Sequence, residues 1–138
     1  GSGMTGLETS ELLCAQGNKV TIVEMADAIA PGAYFQHVDD AIPKLKAADT
    51  TFLTSSKLVK INPNGIEIEN TKSGATSSIA VDFVVLSMGC RPDTSLYDEL
   101  INTKDRDYKV YKIGDCVKVG RIANATESAY QLAIKLNR

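Results

Sequence analysis

The chain has 138 residues, a formal net charge of −2 and an apolar fraction of 43%, which suffices for one domain with a hydrophobic core of its own. The slightly acidic balance argues against nucleic acid as a main partner, and no apolar run approaches the length of a membrane span. The three cysteines form neither a C-x-x-C pair nor a metal-binding spacing. This pattern predicts reduced thiols, a cytoplasmic protein and no metal site.

The chain opens on a glycine pattern that is typical of a phosphate-binding loop. The pattern is G-x-G-x-x-G over Gly1, Ser2, Gly3, Met4, Thr5 and Gly6. Glycines let the backbone turn sharply and approach a pyrophosphate, and the helix predicted over residues 4–16 offers free N–H groups to the anion. The strand that normally feeds this loop would precede Gly1. We therefore expect a chain cut from a longer protein, the alternative being that Gly1 and Ser2 are expression residues.

An acidic residue follows the loop at an informative distance. Residues 19–24 are predicted to form a strand that ends on Glu24, eighteen positions after Gly6. A carboxylate at this strand end can accept hydrogen bonds from a ribose diol and would repel a 2′-phosphate. The spacing therefore predicts a dinucleotide site, with NADH preferred over NADPH.

The next elements predict an α/β fold. A helical pattern over residues 34–48 is interrupted by Pro43, which predicts a kink or two short helices. Strands are predicted over residues 51–54, 57–61, 66–70, 77–81 and 82–87; the last is a continuous apolar run typical of a buried parallel strand. The expected fold is a Rossmann-like three-layer domain with a parallel sheet, an inserted three-stranded antiparallel meander and an apparently truncated first strand.

The last third of the chain contains a second candidate motif. Residues 96–109 are predicted to be irregular, residues 110–113 to form a last strand, and residues 121–136 to form a helix. The strand ends at Gly114 and Asp115. Because Gly-Asp pairs are common in turns, a purely structural role for Asp115 is the alternative interpretation.

These segments resemble the pyridine-nucleotide-dependent flavoprotein oxidoreductases, in which an NAD domain is inserted into an FAD domain. The similarity lies in residues 1–8 with Glu24, in residues 84–92, where Ser87 replaces the usual alanine, and in residues 110–122, which are similar to the family's late FAD motif. Within the family, the chain most resembles the C-terminal region of NADH:flavin oxidoreductases of the 2-enoate reductase and 2,4-dienoyl-CoA reductase type, where this region follows a barrel.

The resemblance implies a role for each matched residue. The glycine loop would contact the NADH pyrophosphate, Glu24 would contact the adenosine ribose, and Glu8 would lie near the nicotinamide end. Asp115 would bind the ribityl chain of FAD, and the helix start at Arg121 would be directed toward the flavin. The implied cofactor-binding set is Gly1, Ser2, Gly3, Met4, Thr5, Gly6, Glu8, Glu24, Gly89, Asp115, Arg121 and Ile122. No catalytic residue is expected. Residues 1–90 would form the NAD(H)-binding domain, and residues 91–138 a connection and a remnant of the FAD domain.

The resemblance also implies a function. The chain would be the NADH-binding segment of a flavin-dependent oxidoreductase that passes hydride from NADH to FAD, with FAD bound only in the full-length protein. Its partners would be NADH and the rest of the parent flavoprotein, with an FMN barrel as a further candidate, and neither nucleic acid nor membrane. The chain alone would be inactive, because the first FAD fingerprint is missing. Two alternatives stay open: a non-catalytic nucleotide-binding or interaction domain, and part of a disulfide-reductase or NADH-oxidase type of flavoprotein.

Overall fold

Two compact units make up the chain, one from Gly1 to Gly89 and one from Cys90 onward; the computed structural model describes residues 1–137. The elements of the first unit are α1 (Met4–Ala15), β1 (Thr21–Val23), α2 (Phe35–Ala47), β2 (Thr51–Leu53), β3 (Ser56–Asn62), β4 (Gly65–Asn70) and β5 (Thr76–Ala80). The second unit contains α3 (Ser95–Asn102), a 3-10 turn (Gly114–Cys116) and α4 (Ile122–Leu136). The assignment of NAD(H) binding to the first unit and of FAD binding to the second stays a prediction.

A small parallel sheet lies at the centre of the first unit. β1 and β2 pair in parallel, with Ile22 opposite Phe52, and α1 packs against α2. Leu7 of α1 and Leu45 of α2 are both 0% exposed and meet the buried Ile22 in one core cluster. The parallel arrangement of alternating strands and helices confirms the predicted α/β class.

Helix α2 runs through Pro43 as one continuous element. The proline has no N–H to donate to the carbonyl of Asp39. Both residues are exposed, so water can satisfy that carbonyl and the helix tolerates the lost bond. The alternative of two short helices is wrong for this reason.

The meander has the predicted form. β3, β4 and β5 form an antiparallel sheet in that order. Along β4 the isoleucines Ile66 and Ile68 are buried while Glu67 and Glu69 are half-exposed, which confirms the alternation in the sequence. Gly65 opens this strand with φ +154°, and a Cβ there would lie 2.1 Å from the carbonyl oxygen of Ile79. Glycine is therefore required where β4 begins, because β5 approaches its backbone closely.

Three predicted elements differ in the structure. Residues 82–87 and 110–113 are not strands, whereas residues 95–102, most of which were predicted to be irregular, form α3. An apolar run indicates that a segment favours burial. To form a strand, the segment also needs a neighbouring strand with which its backbone can hydrogen-bond. Neither run has such a neighbour among the described residues, and Phe83 is 91% exposed. Helix α3 was missed because it is only eight residues long.

The second unit is held by local contacts. The N–H of Gly114 donates to Ser128 Oγ at 3.0 Å, which joins the 3-10 turn to α4. The Lys112 ammonium lies 4.6 Å from the centre of the Tyr97 ring, a cation–π contact between the segment before the turn and α3. None of the four α-helices within residues 1–137 combines the length and hydropathy needed to cross a bilayer.

Candidate dinucleotide-binding site

The three glycines of the predicted phosphate loop have different surroundings. A Cβ on Gly1 would lie 2.1 Å from the Ser87 carbonyl oxygen, and a Cβ on Gly6 would lie 2.2 Å from the Gly1 carbonyl oxygen. A Cβ on Gly3 would have no atom within 4 Å. Gly1 and Gly6 are therefore required by internal packing, whereas Gly3 leaves its backbone open on the outside. This division matches the tight turn, the close ligand approach and the helix–sheet packing of a dinucleotide-binding loop.

The N-terminus of α1 is free to accept an anion. Its N-cap, Gly3, has no side chain to cap the helix, and the first turn holds no acidic residue. The first helical bond runs from the Leu7 N–H to the Gly3 carbonyl oxygen at 3.0 Å. Within residues 1–137, the preceding N–H groups of Met4, Thr5 and Gly6 have no acceptor. Unpaired donors and the positive end of the helix dipole thus lie together beside the open Gly3 backbone.

Glu24 lies directly behind this loop, as the spacing predicted. Its Oε2 accepts the Ser2 N–H at 2.8 Å and the Ser2 hydroxyl at 2.6 Å, and its Oε1 accepts the Ala26 N–H at 2.8 Å. Partial burial by itself would raise the pKa of Glu24. The hydrogen bonds from Ala26 and Ser2 outweigh that effect and lower the pKa below its ordinary value. The carboxylate is therefore held ionised at neutral pH, next to a loop suited to phosphate.

Ser2 is the residue whose role the sequence did not reveal. Its side chain is fully buried, and its Oγ accepts the Ala30 N–H at 2.8 Å while donating to Glu24. Ser2 thereby connects the glycine loop to the segment that follows Glu24. The sequence assigned Ser2 only a place in the loop; the available clue was a hydroxyl between two glycines with an acid at the next strand end.

Among the described residues, no hydrogen bond joins Glu24 to Glu8, Gly89, Met4 or Thr5; its side-chain partners are Ser2 and Ala26. Glu8 is exposed on the second turn of α1, and its side chain forms no hydrogen bond or ion pair within residues 1–137. Gly89 is exposed, has φ +76° and leaves open space around its Cβ position. Met4 is half-buried and Thr5 is exposed. A ligand role for these residues stays a prediction.

In the second unit, the predicted flavin-binding residues lie around the start of α4. Asp115 Oδ1 accepts the Gly120 N–H at 3.1 Å, which closes the loop between the 3-10 turn and the helix. The Arg121 N–H donates to Asn124 Oδ1 at 2.9 Å, and Ile122 is 85% exposed. The Asp115 contact is that of a turn residue, and its Oδ2 has no partner within the described residues.

Comparison with known proteins gives consistent relatives. Residues 1–131 match the family described as pyridine nucleotide-disulphide oxidoreductase. The chain is 32% identical over 134 residues to a bilirubin reductase of Mediterraneibacter gnavus and 34% identical over 137 residues to a cinnamate reductase of Clostridium sporogenes; each match covers 96% of this chain and 20% of the relative. Among solved structures, a 2-naphthoyl-CoA reductase in complex with 2-naphthoyl-CoA is similar with a TM-score of 0.76 and 26% identity.

That structural match covers 98% of this chain and 20% of the other. The chain therefore spans about one fifth of the length of the relatives it matches. The family match, by contrast, extends over nearly the whole chain. The chain belongs to the pyridine nucleotide-disulphide oxidoreductase family, whose members are flavoprotein oxidoreductases that bind FAD and a pyridine nucleotide.

Proposed function

We propose that the first unit binds NADH. The pyrophosphate would lie against the Gly3 backbone and the free N–H groups of α1, and Glu24 would accept the adenosine ribose. The observation that carries this assignment is the position of the Glu24 carboxylate. The Ser2 hydroxyl and the Ser2 N–H donate to its Oε2 at 2.6 and 2.8 Å, so the carboxylate lies on the loop itself. A phosphate-binding helix end and a sugar-binding carboxylate are thus joined in one small surface.

The same carboxylate favours NADH over NADPH. Hydrogen bonds from Ser2 and Ala26 lower the pKa of Glu24, so the side chain is an anion at neutral pH. The 2′-phosphate of NADPH would bring a second anion to that position. Like charges at hydrogen-bonding distance repel strongly in a partly buried site, whereas the ribose hydroxyls of NADH are neutral donors.

We infer that the chain acts within a larger flavin-dependent oxidoreductase. In that assembly the residues of this chain would bind and orient the dinucleotide, and FAD would supply the hydride-accepting chemistry. Asp115 supports a contribution to FAD, since its Oδ2 is free among the described residues while Oδ1 is held by Gly120. The start of α4 at Arg121 and Ile122 would face the same cofactor.

Exposed apolar residues support contact with the remainder of such a protein. Phe83 and Met88 in the first unit and Ile122 and Tyr130 in the second are all more than half exposed. In the first unit, the exposed apolar residues follow one another along the chain from Phe83 to Met88, and exposed apolar patches mark interaction sites in proteins. We propose that the rest of the parent flavoprotein covers these residues, and that NADH-to-FAD transfer requires that partner.

A parallel titration of the chain with NADH, NADPH and FAD tests this function. We expect weak binding of NADH, weaker binding of NADPH and almost none of FAD. Glu24→Arg should remove the preference for NADH, and Gly3→Val should abolish binding of both nucleotides while the protein stays folded. Asp82→Arg is the matched control, because this exposed acid lies in the same unit and has no proposed role. No binding of NADH by the wild type, or an unchanged nucleotide preference in Glu24→Arg, would contradict the proposal.

A further inference from the structure

The protein itself already uses most of the hydrogen-bonding capacity of Glu24. An ionised carboxylate offers about four lone-pair sites. Three donors occupy it: the Ser2 N–H and the Ser2 hydroxyl on Oε2, and the Ala26 N–H on Oε1. The free acceptor site therefore lies on Oε1. A ribose diol has two hydroxyls to donate, so the carboxylate cannot serve both without losing a bond from the protein.

The direction of the Ser2 hydroxyl is determined by its surroundings. Ser2 is 0% exposed, so water does not compete for its hydrogen bonds. Its Oγ must accept the bond from the Ala30 N–H, because an N–H can only donate. The single hydroxyl proton is therefore left for Glu24 Oε2, 2.6 Å away. A bond from a hydroxyl to a carboxylate is charge-assisted and among the stronger hydrogen bonds in proteins.

The contact with Ala30 extends this arrangement to the following loop. Ala30 is buried and has φ +55°, a left-handed conformation that is uncommon for a residue with a side chain. Its N–H has Ser2 Oγ as acceptor. The same loop supplies the Ala26 N–H that binds Oε1. Ser2 thus anchors Glu24 directly through Oε2 and helps to hold the loop that binds the other oxygen.

We propose that Ser2 is a positioning residue for ribose recognition: it occupies Oε2 of Glu24 and leaves Oε1 to accept one of the two adenosine ribose hydroxyls. This inference rests on the proposed NADH-binding function and deepens it. Ser2 does not touch the ribose in this arrangement. Its effect is to make recognition depend on one hydroxyl, where an unrestrained carboxylate would accept both.

Competition of ADP, 2′-deoxy-ADP and 3′-deoxy-ADP against NADH, followed by NADH fluorescence, tests this proposal. In the wild type, one deoxy analogue is expected to bind about tenfold more weakly than ADP, because a bond to a charged group is lost, while the other binds nearly as well as ADP. In Ser2→Ala, Oε2 loses a donor, and the ratio of the affinities of the two deoxy analogues should narrow to about threefold or less. The control Ser56→Ala removes another buried hydroxyl, whose bond goes to the Thr54 carbonyl, and should keep the wild-type ratio.

The outcomes separate this inference from the function on which it rests. Equal loss for both analogues in the wild type, or an unchanged ratio in Ser2→Ala, would overturn the positioning role while NADH binding stands. The comparison of the two deoxy analogues in the wild type still tests whether one ribose hydroxyl is recognised, even if Ser2→Ala fails to fold. If the wild type binds neither ADP nor NADH, the proposed function fails. The Glu24 carboxyl ¹³C resonance then tests the contact alone: its titration should move to higher pH in Ser2→Ala, and no movement would show that Ser2 does not hold Glu24.

Discussion

The two units of the chain differ in how they bury apolar side chains. In the first, Leu7 and Leu45 are 0% exposed, because two helices cover one face of a parallel strand pair. In the second, every described residue from 90 to 137 is at least partly exposed. Helix α4 still carries apolar residues such as Leu132 and Ile134 on half-buried positions. An apolar helix face becomes a core only when a second layer packs on it, and the described residues give the second unit no such layer.

The largest expected contrast comes from truncating one leucine in each unit. Leu45→Ala should lower the free energy of unfolding by about 2–5 kcal/mol, because it leaves a cavity in a closed core. Leu132→Ala should cost less than about 1 kcal/mol, because its half-buried site already meets solvent. Urea unfolding of both variants measures the difference. Equal destabilisation would mean that the second unit has a core as closed as the first.

Glycine substitutions give a second, smaller contrast. A Cβ on Gly6 would lie 2.2 Å from a backbone oxygen, whereas a Cβ on Gly120 would meet only side-chain atoms of Asn124, at 2.9–3.1 Å. Gly6→Ala should cost about 1–3 kcal/mol, since backbone must move. Gly120→Ala should cost less, because Asn124 Oδ1 and Cγ can turn away at the expense of the bond to the Arg121 N–H, and the helix start need shift only slightly to clear Asn124 Cβ at 3.0 Å. Thermal melts compare the two, and a larger loss in Gly120→Ala would contradict the contrast.

Amide hydrogen exchange tests the same comparison without a mutation. The amides of α1 and β1 should exchange at least about tenfold more slowly than those of α3, because local opening is cheapest where few apolar side chains are buried. Helix α3 contains no buried residue. Mass spectrometry of peptides from each helix would measure the ratio. Comparable protection in α1 and α3 would show that burial does not control opening here.

The smallest expected effect is a pH dependence of stability at Glu24. Its pKa is lowered from 4.5, so its ionised form stabilises the fold above about pH 4.5, and this contribution is lost as pH falls through the lower folded value. In the second unit, the Ser95 N–H and hydroxyl lower the pKa of Asp93, which is fully exposed. Glu24→Gln should therefore flatten the fall of melting temperature below pH 4.5 more than Asp93→Asn does. The reverse order would contradict the assignment.

Sequence reasoning succeeded where a local pattern determines the outcome. The helix over residues 4–15, the meander and the strand ending before Glu24 all follow from periodicity, turn residues and spacing within a few residues of the chain. It failed for residues 82–87, because strand formation depends on a neighbour that the segment's own residues do not specify. The spacing of the glycine loop and Glu24 predicted that both belong to one dinucleotide site, but not that Ser2 occupies one oxygen of the carboxylate.

The amino-acid sequence by itself determined the α/β class, the glycine loop and the acid that lies behind it, since each depends on which residues follow one another. Only the tertiary structure decided that Gly3 is the open glycine, that Ser2 and Ala26 already bind Glu24, and that the described residues place no covering layer on α4. These facts depend on contacts between atoms distant in the chain. Such contacts are set by packing and by the competition among donors for a few acceptor sites.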